Sequence, residues 1–347
     1  MTVAAPVQEH ADLVAAYGDL QRRVAAISEQ KAALLWGYLK RESLTDSWLR
    51  TVGPALLQLL TAGQMLAASS GQQYVDAMVA ADGLSSDYLA GASRVSTRAL
   101  SGVAADGRAL DSLLYLPVIR TKTLLAGGMS LQEAMLAGQM QLRRIVASEV
   151  ASAGSGAVGV AIAANRSTTG YVRTVRAGAC GRCVILAGRW YRWNADFQRH
   201  KRCQCYGVPA TEARPGRRTD PMKFFHSLSR AEQDRRFTAG GAQAIRDGAD
   251  IFRVVNSRRS LRVVDAYGQR VVSTLEGTTR RGEFYQLMRA EEERRTGIRY
   301  ARTAADVEQG LPRFKLRTPR LTPGEIYRLA ESRDEVIRLL ARFGYLT

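Results

Sequence analysis

Apolar residues at Leu13, Tyr17, Leu20, Val24, Ile27, Leu34 and Tyr38 recur at alternating three- and four-residue steps, with Lys31 in the one vacant position. That period predicts a long amphipathic helix from about Glu9 to Leu39, whose apolar face needs a partner helix. Further helical periods around residues 46–66, 70–82 and 108–126 supply partners within the chain. Ser130-Leu131-Gln132-Glu133 reads as a capping box, in which hydroxyl and carboxylate satisfy the first backbone amides, and it opens a helix running to about Ala164. The Ala/Gly-rich end of that helix, "ASAGSGAVGVAIAAN", permits close helix packing. Residues 1–170 are expected to be largely helical.

Later in the chain the periods shorten. Ser229-Arg230-Ala231-Glu232 predicts a second capping box and a helix to about Asp247. In "IFRVVNSRRSLRVVDAYGQRVVSTLEG", β-branched runs flank a Tyr-Gly turn, which predicts a small hairpin. The three prolines and four basic residues of "LPRFKLRTPRLTPGE" read as an extended linker. Thr322-Pro323-Gly324-Glu325 then caps a final helix with a stripe at Ile326, Leu329, Ala330, Ile337 and Leu340, interrupted by Arg333. No repeat of 20 to 50 residues is visible. The expected fold class is mainly α with a small α+β part: a helical N-terminal unit, a central zinc-clamped loop, a short β-hairpin and a C-terminal helix.

Composition sharpens this picture in two respects. Hydrophobic residues make up 46% of the 347, enough for a substantial core. The uncharged run from Arg50 to Asp76 contains Pro54 and four glutamines, so it predicts a buried helix pair and no membrane span. The N-terminus "MTVAAPVQEHADLV" lacks the basic-then-apolar pattern of a secretory signal, which predicts cytoplasmic synthesis and reduced thiols.

Charge is unevenly distributed. Residues 1–170 hold 14 basic and 13 acidic side chains, 171–210 hold 8 and 1, and 211–347 hold 28 and 18. The net +18 therefore falls almost wholly on the second half and predicts a polyanionic partner. Of the 50 basic residues 44 are Arg, which suits bidentate phosphate contact.

All four cysteines lie within "CGRCVILAGRWYRWNADFQRHKRCQC", Cys180 to Cys205. Cys180-x2-Cys183 brings two thiolates toward one ion, and His200-x2-Cys203-x-Cys205 offers the second pair of a tetrahedral structural zinc site. Five candidates compete for four places: Cys180 and Cys183 form the first pair, and the second is His200 with Cys205, with Cys203 as the next choice. A redox Cys-x2-Cys needs a preceding strand and a following helix, and here a second Cys/His cluster follows. A catalytic zinc needs a general base, and Asp196 is the one acid in the block. Between the pairs, Trp190, Tyr191 and Trp193 alternate with Arg189, Arg192 and Arg199. Such residues can stack on bases and hold phosphates, and equally can form the small core that a metal-clamped loop requires.

The run "VRAGACGRCVILAG", the His-x2-Cys-x-Cys cluster, "FFHSLSRAEQDRRFTAGGAQAIRDGADIFRVVNSRR" and "EGTTRRG" resemble the Mu F-like, head-morphogenesis type minor head proteins of tailed bacteriophages, in particular those of actinobacterial phages. The likeness covers roughly residues 130 to 285, with Lys201 in place of the usual proline after the histidine. It implies a Mu F-like domain over 130–285 with a zinc-binding loop at 178–207, which leaves the predicted helical region over 1–129 before it and the basic linker and helix over 286–347 after it. It also implies Cys180, Cys183, His200, Cys203 and Cys205 as ligands to one structural Zn²⁺. The function implied is that of a virion protein inside the capsid near the portal vertex, which contacts portal or major capsid protein and aids head assembly and DNA packaging or ejection. Sequence-independent contact with double-stranded DNA would then fall to Arg182, Arg189, Arg192, Arg199, Lys201 and Arg202.

No catalytic role is expected. A head-maturation protease acting on capsid precursor is the alternative, with His226 as the one histidine that neither the metal nor the first helix claims. A metal-dependent nuclease lacks the further histidines it needs. An ADP-ribosyltransferase would draw on Glu291-Glu292-Glu293, which read more simply as part of a charged helix.

Overall fold

The computed structural model describes residues 5–91, 95–175, 179–195, 197, 199, 203, 205–211 and 220–346, with side chains from residue 10 onward. The chain is mainly helical with two small three-stranded sheets. Its contacts divide it into two compact units, residues 1–179 with 186–219 and residues 180–185 with 220–347. These divisions differ from the expected breaks at 129/130 and 285/286.

In the first unit, α1 (Ala5–Trp36), α2 (Leu44–Ser47), α3 (Gly53–Ser69), α4 (Gly71–Ala81), α5 (Leu110–Ala126) and α6 (Leu131–Ala164) form a helical bundle. Helix α6 touches α1, α3, α4 and α5, so a boundary at residue 130 would cut through the core. By length and composition α6 is long and apolar enough to cross a bilayer, yet 56% of its apolar window is buried inside the protein, as for the central helix of a bundle. Leu56, Leu60, Leu114, Val118, Leu142, Val146 and Val150 form the centre.

The buried face of α1 follows the predicted stripe at Tyr17 and Val24 and then departs from it, and Tyr38 lies beyond the helix end. Tyr17, Gln21, Val24, Ala25, Ser28, Ala32 and Trp36 face inward, whereas Ile27, Leu34 and Tyr38 are 52%, 65% and 72% exposed. A straight helix drifts about 20° per heptad away from a 3.5-residue seam, so residues that follow the seam leave the core. Small residues on α6 then set the crossing distance. A Cβ on Gly154 would stand 2.2 Å from Gln21 Oε1, and one on Gly71 of α4 would stand 2.6 Å from the Cβ of Ala157. Half of the predicted box of α6 forms: Ser130 Oγ accepts from the Glu133 amide, while the Glu133 carboxylate accepts from the Ser130 hydroxyl at 2.6 Å and not from its backbone amide.

The bundle carries a sheet that the hydrophobic pattern did not predict, in the order β2-β1-β3, from β1 (Gly170–Thr174), β2 (Trp190–Arg192) and β3 (Tyr206–Ala210). Both pairings are antiparallel, with Tyr171 opposite Tyr191 and Pro209, and Arg173 opposite Gly207. Glycine is required at 207 because a Cβ there would stand 2.8 Å from the Tyr171 ring.

The second unit contains α7 (Gly181–Ile185), α8 (Pro221–His226), α9 (Arg230–Phe237), α10 (Ala239–Arg246), α11 (Ile251–Asn256), α12 (Glu283–Thr296), α13 (Ala304–Glu308), α14 (Pro323–Leu329) and α15 (Arg333–Arg342). Its core is built on Phe225, Phe237, Ile245, Val254, Phe284, Ile326, Leu340 and Phe343. The hairpin is where the pattern places it, β4 (Leu261–Ala266) against β5 (Gln269–Thr274), with Tyr267 and Gly268 both at positive φ. Inside the expected linker, Arg320-Leu321 forms β6 and completes the order β4-β5-β6.

Two predicted helices are each broken in two. The helix from Ser229 stops at Phe237, because Thr238 takes φ 71° and caps α10 through its hydroxyl. At Ser229 only half of the box forms: its hydroxyl accepts from the Glu232 amide, but the Glu232 carboxylate turns to Arg235 and Arg236. The final helix breaks over residues 330–332, and Ser332 caps α15 with Arg333 at its first position. The interruption of the stripe at Arg333 is thus the start of a new helix.

Candidate metal centre

The cysteine block contributes to both strand and helix. Cys183 lies in α7, one turn after Cys180, whose carbonyl accepts the Val184 amide. Cys205 directly precedes β3, and Cys203 stands two residues earlier. Cys183, Cys203 and Cys205 are buried, and their Sγ atoms all lie within 4.8 Å of one another. Three thiolates of a tetrahedral zinc site stand about 3.8 Å apart at a Zn–S distance of about 2.3 Å, so this group has the right size to hold a metal ion. Cys180 is half-buried, forms no disulfide, and stands outside the three-sulfur group. The expected ranking of ligands changes accordingly: Cys203 joins Cys183 and Cys205 at the centre. His200 lies outside the described residues, as do Lys201 and Arg202.

Arg173, on β1, was not expected at this site. It is 1% exposed, and its Nη2 points at Cys205 Sγ at 3.6 Å and Cys203 Sγ at 4.0 Å. A guanidinium here compensates negative charge on sulfur and donates to it, as groups surrounding metal-bound thiolates do. Its plane lies over the Phe197 ring at 4.1 Å, and Arg199 covers the same ring at 4.9 Å while donating to the Cys205 carbonyl at 3.0 Å. Ser155 of α6 donates to that carbonyl as well, at 3.2 Å. The block is thereby tied to the bundle. The sequence signal for Arg173 was an arginine inside the apolar run "GYVRTV", seven residues before the first cysteine.

The aromatic loop serves mainly as a small core. Tyr171 and Tyr191 stack at 5.4 Å, Phe197 packs on both, and the Tyr171 hydroxyl donates to the Ala195 carbonyl. Trp193 alone of the named aromatics is mostly exposed, at 51%. Arg182, Arg189 and Arg192 are exposed, and Arg199 is half-buried against Phe197.

The residues weighed for catalysis are engaged in other contacts. His226 ends α8 with its ring edge-on to Phe225, and none of its described contacts is with a serine. His10 pairs with Asp82 at 3.0 Å. In α12, Glu291, Glu292 and Glu293 pair with Arg342, Arg295 and Arg302.

The chain matches no family profile, no curated protein and no solved structure.

Proposed function

We propose that this chain is a structural minor head protein of a tailed bacteriophage, in which one zinc ion holds the cysteine block and exposed arginines beside it contact duplex DNA. The observation that carries this reading is the group of three buried cysteine sulfurs within 4.8 Å, placed in the segment where the likeness to Mu F-like head proteins is most specific. The role is binding and assembly, at the portal or the inner face of the capsid. Cys183, Cys203 and Cys205 hold the ion, Arg173 balances their charge, and Arg182, Arg189 and Arg192 face phosphate. Contacts of this kind position a duplex without reading its sequence and weaken as salt displaces them.

Two measurements on the purified protein test the reading. Native mass spectrometry should find one zinc per chain, lost in Cys205→Ser. Duplex binding should fall steeply between low and moderate ionic strength, and the triple Arg182→Glu/Arg189→Glu/Arg192→Glu variant should weaken it at least tenfold, roughly the loss of two phosphate contacts. A metal-free native protein would remove the zinc clamp, and salt-independent affinity would remove the DNA role.

A further inference from the structure

Two adjoining cavities open on the helical unit. One, of about 580 Å³, is lined by Arg108, Arg120, Arg144 and Arg199 above Leu116 and Ile145. The other, of about 600 Å³, carries Trp193 and Tyr171 among small residues of α6. They share Ala105, Glu149, Ser152 and Arg199 along their common edge. Arg108 is taken up by Asp106 at 2.7 Å. Among the described residues no ion pair is made by Arg120, Arg144 or Arg199, and all three line the first cavity. Asp106, paired with Arg108, and Glu149 are the carboxylates in the same lining. Glu149 is 9% exposed and accepts the Ala105 amide at 2.8 Å, and burial raises its pKa.

We propose that the two cavities form one groove for single-stranded nucleic acid, in which Arg120, Arg144 and Arg199 hold backbone phosphates and Trp193 offers a stacking face to a base. Cations that follow a backbone, next to an exposed aromatic ring, are what a strand with unpaired bases requires. A duplex keeps its base faces covered and could use only the arginines. The groove is a separate site from Arg182, Arg189 and Arg192, and the inference does not rest on the phage reading.

The test is a tryptophan fluorescence titration of the full chain with an eight-nucleotide oligothymidylate, thymidine monophosphate, and a duplex of equal length. The oligonucleotide should quench the emission and bind more tightly than either of the others. Arg120→Glu and Arg144→Glu, both at exposed positions, should each weaken it roughly tenfold or more, since a charge-assisted phosphate contact is replaced by repulsion. Trp193→Phe should remove most of the quench, and Glu149→Gln, which keeps an acceptor for Ala105, should tighten binding. Unchanged oligonucleotide affinity in the Arg120→Glu/Arg144→Glu variant, with its circular dichroism intact, would overturn the proposal. So would a mononucleotide that binds as tightly as the strand, or a duplex that does so with the same dependence on Arg120 and Arg144. Loss of duplex binding at Arg182, Arg189 and Arg192 with strand binding intact leaves the groove standing.

Discussion

Arg320 is a buried cation held by neutral groups. Its Nε donates to the Phe343 carbonyl, Nη1 to Glu276 and Nη2 to Gly344, and its plane lies over the Tyr345 ring at 4.5 Å. Burial lowers its pKa below the ordinary arginine value, the cost that the three carbonyls and the ring offset. Arg320→Met fills similar space but leaves three acceptors without a donor, so chemical denaturation should show a loss of roughly 3–5 kcal/mol in the second unit. Glu149 gives the opposite case. Its folded pKa is raised, so the folded state binds a proton more readily than the unfolded chain and stability falls as pH rises through the two values. Glu149→Gln should raise the melting temperature at pH 7 and leave it unchanged near pH 3, where the carboxyl is protonated in both states. Neither residue could be singled out in the sequence: Arg320 reads as one of four basic residues in a linker, and Glu149 as one polar position on an apolar helix. Their burial depends on which distant segments close over them.

At the scale of elements, legibility follows how local the determining interaction is. The N-cap of Ser130 and the Tyr-Gly hairpin are set by adjacent residues, and both form where the pattern places them, the cap through its hydroxyl alone. The hairpin turn also shows what the pattern omits. Tyr267 takes φ 55° and Gly268 φ 72°, both in the left-handed region that a two-residue type I′ connection demands. A tyrosine there is strained, and at 51% exposure it regains little through packing. Tyr267→Asn should stabilise the hairpin by about 0.5–1 kcal/mol, and Gly268→Ala should destabilise it by about 1 kcal/mol, both read from thermal unfolding. The sheet β2-β1-β3 escaped the pattern for the opposite reason. Its strands have 3 to 5 residues, and β1 pairs with partners that are separated from it by the helix and loop of the cysteine block. Short strands buried on tertiary partners carry no clear alternation of their own. Spacing marked the cysteine block as a metal site but ranked Cys203 behind His200, and Arg173 beside the sulfurs required that unforeseen strand.

For the whole molecule, the bundle and the metal-binding region draw stability from different sources. Leu56, Leu60, Leu114, Leu142, Val146 and Val150 are fully buried, so helices α1, α3, α5 and α6 close a mainly apolar core in which Gln21, Ser28, Gln64 and Thr121 are the buried polar side chains that hydrogen-bond or pack within it. The region around β1, β2 and β3 has only short strands, a few stacked rings and a buried arginine facing sulfur. Without an ion, three buried thiolates would repel one another and draw protons, and the attraction of Arg173 for their charge would be lost. Chelation should therefore act unevenly. Incubating the protein with a strong zinc chelator is expected to collapse the near-ultraviolet circular dichroism contributed by Trp190, Tyr191 and Trp193, while the far-ultraviolet helical signal of the bundle keeps most of its amplitude. Readdition of zinc should restore the aromatic signal in the native chain and fail to do so in Cys205→Ser. A chelated protein whose aromatic spectrum is unchanged would mean that Tyr171, Tyr191 and Phe197 hold the loop by packing alone, with the sulfurs as ordinary buried groups.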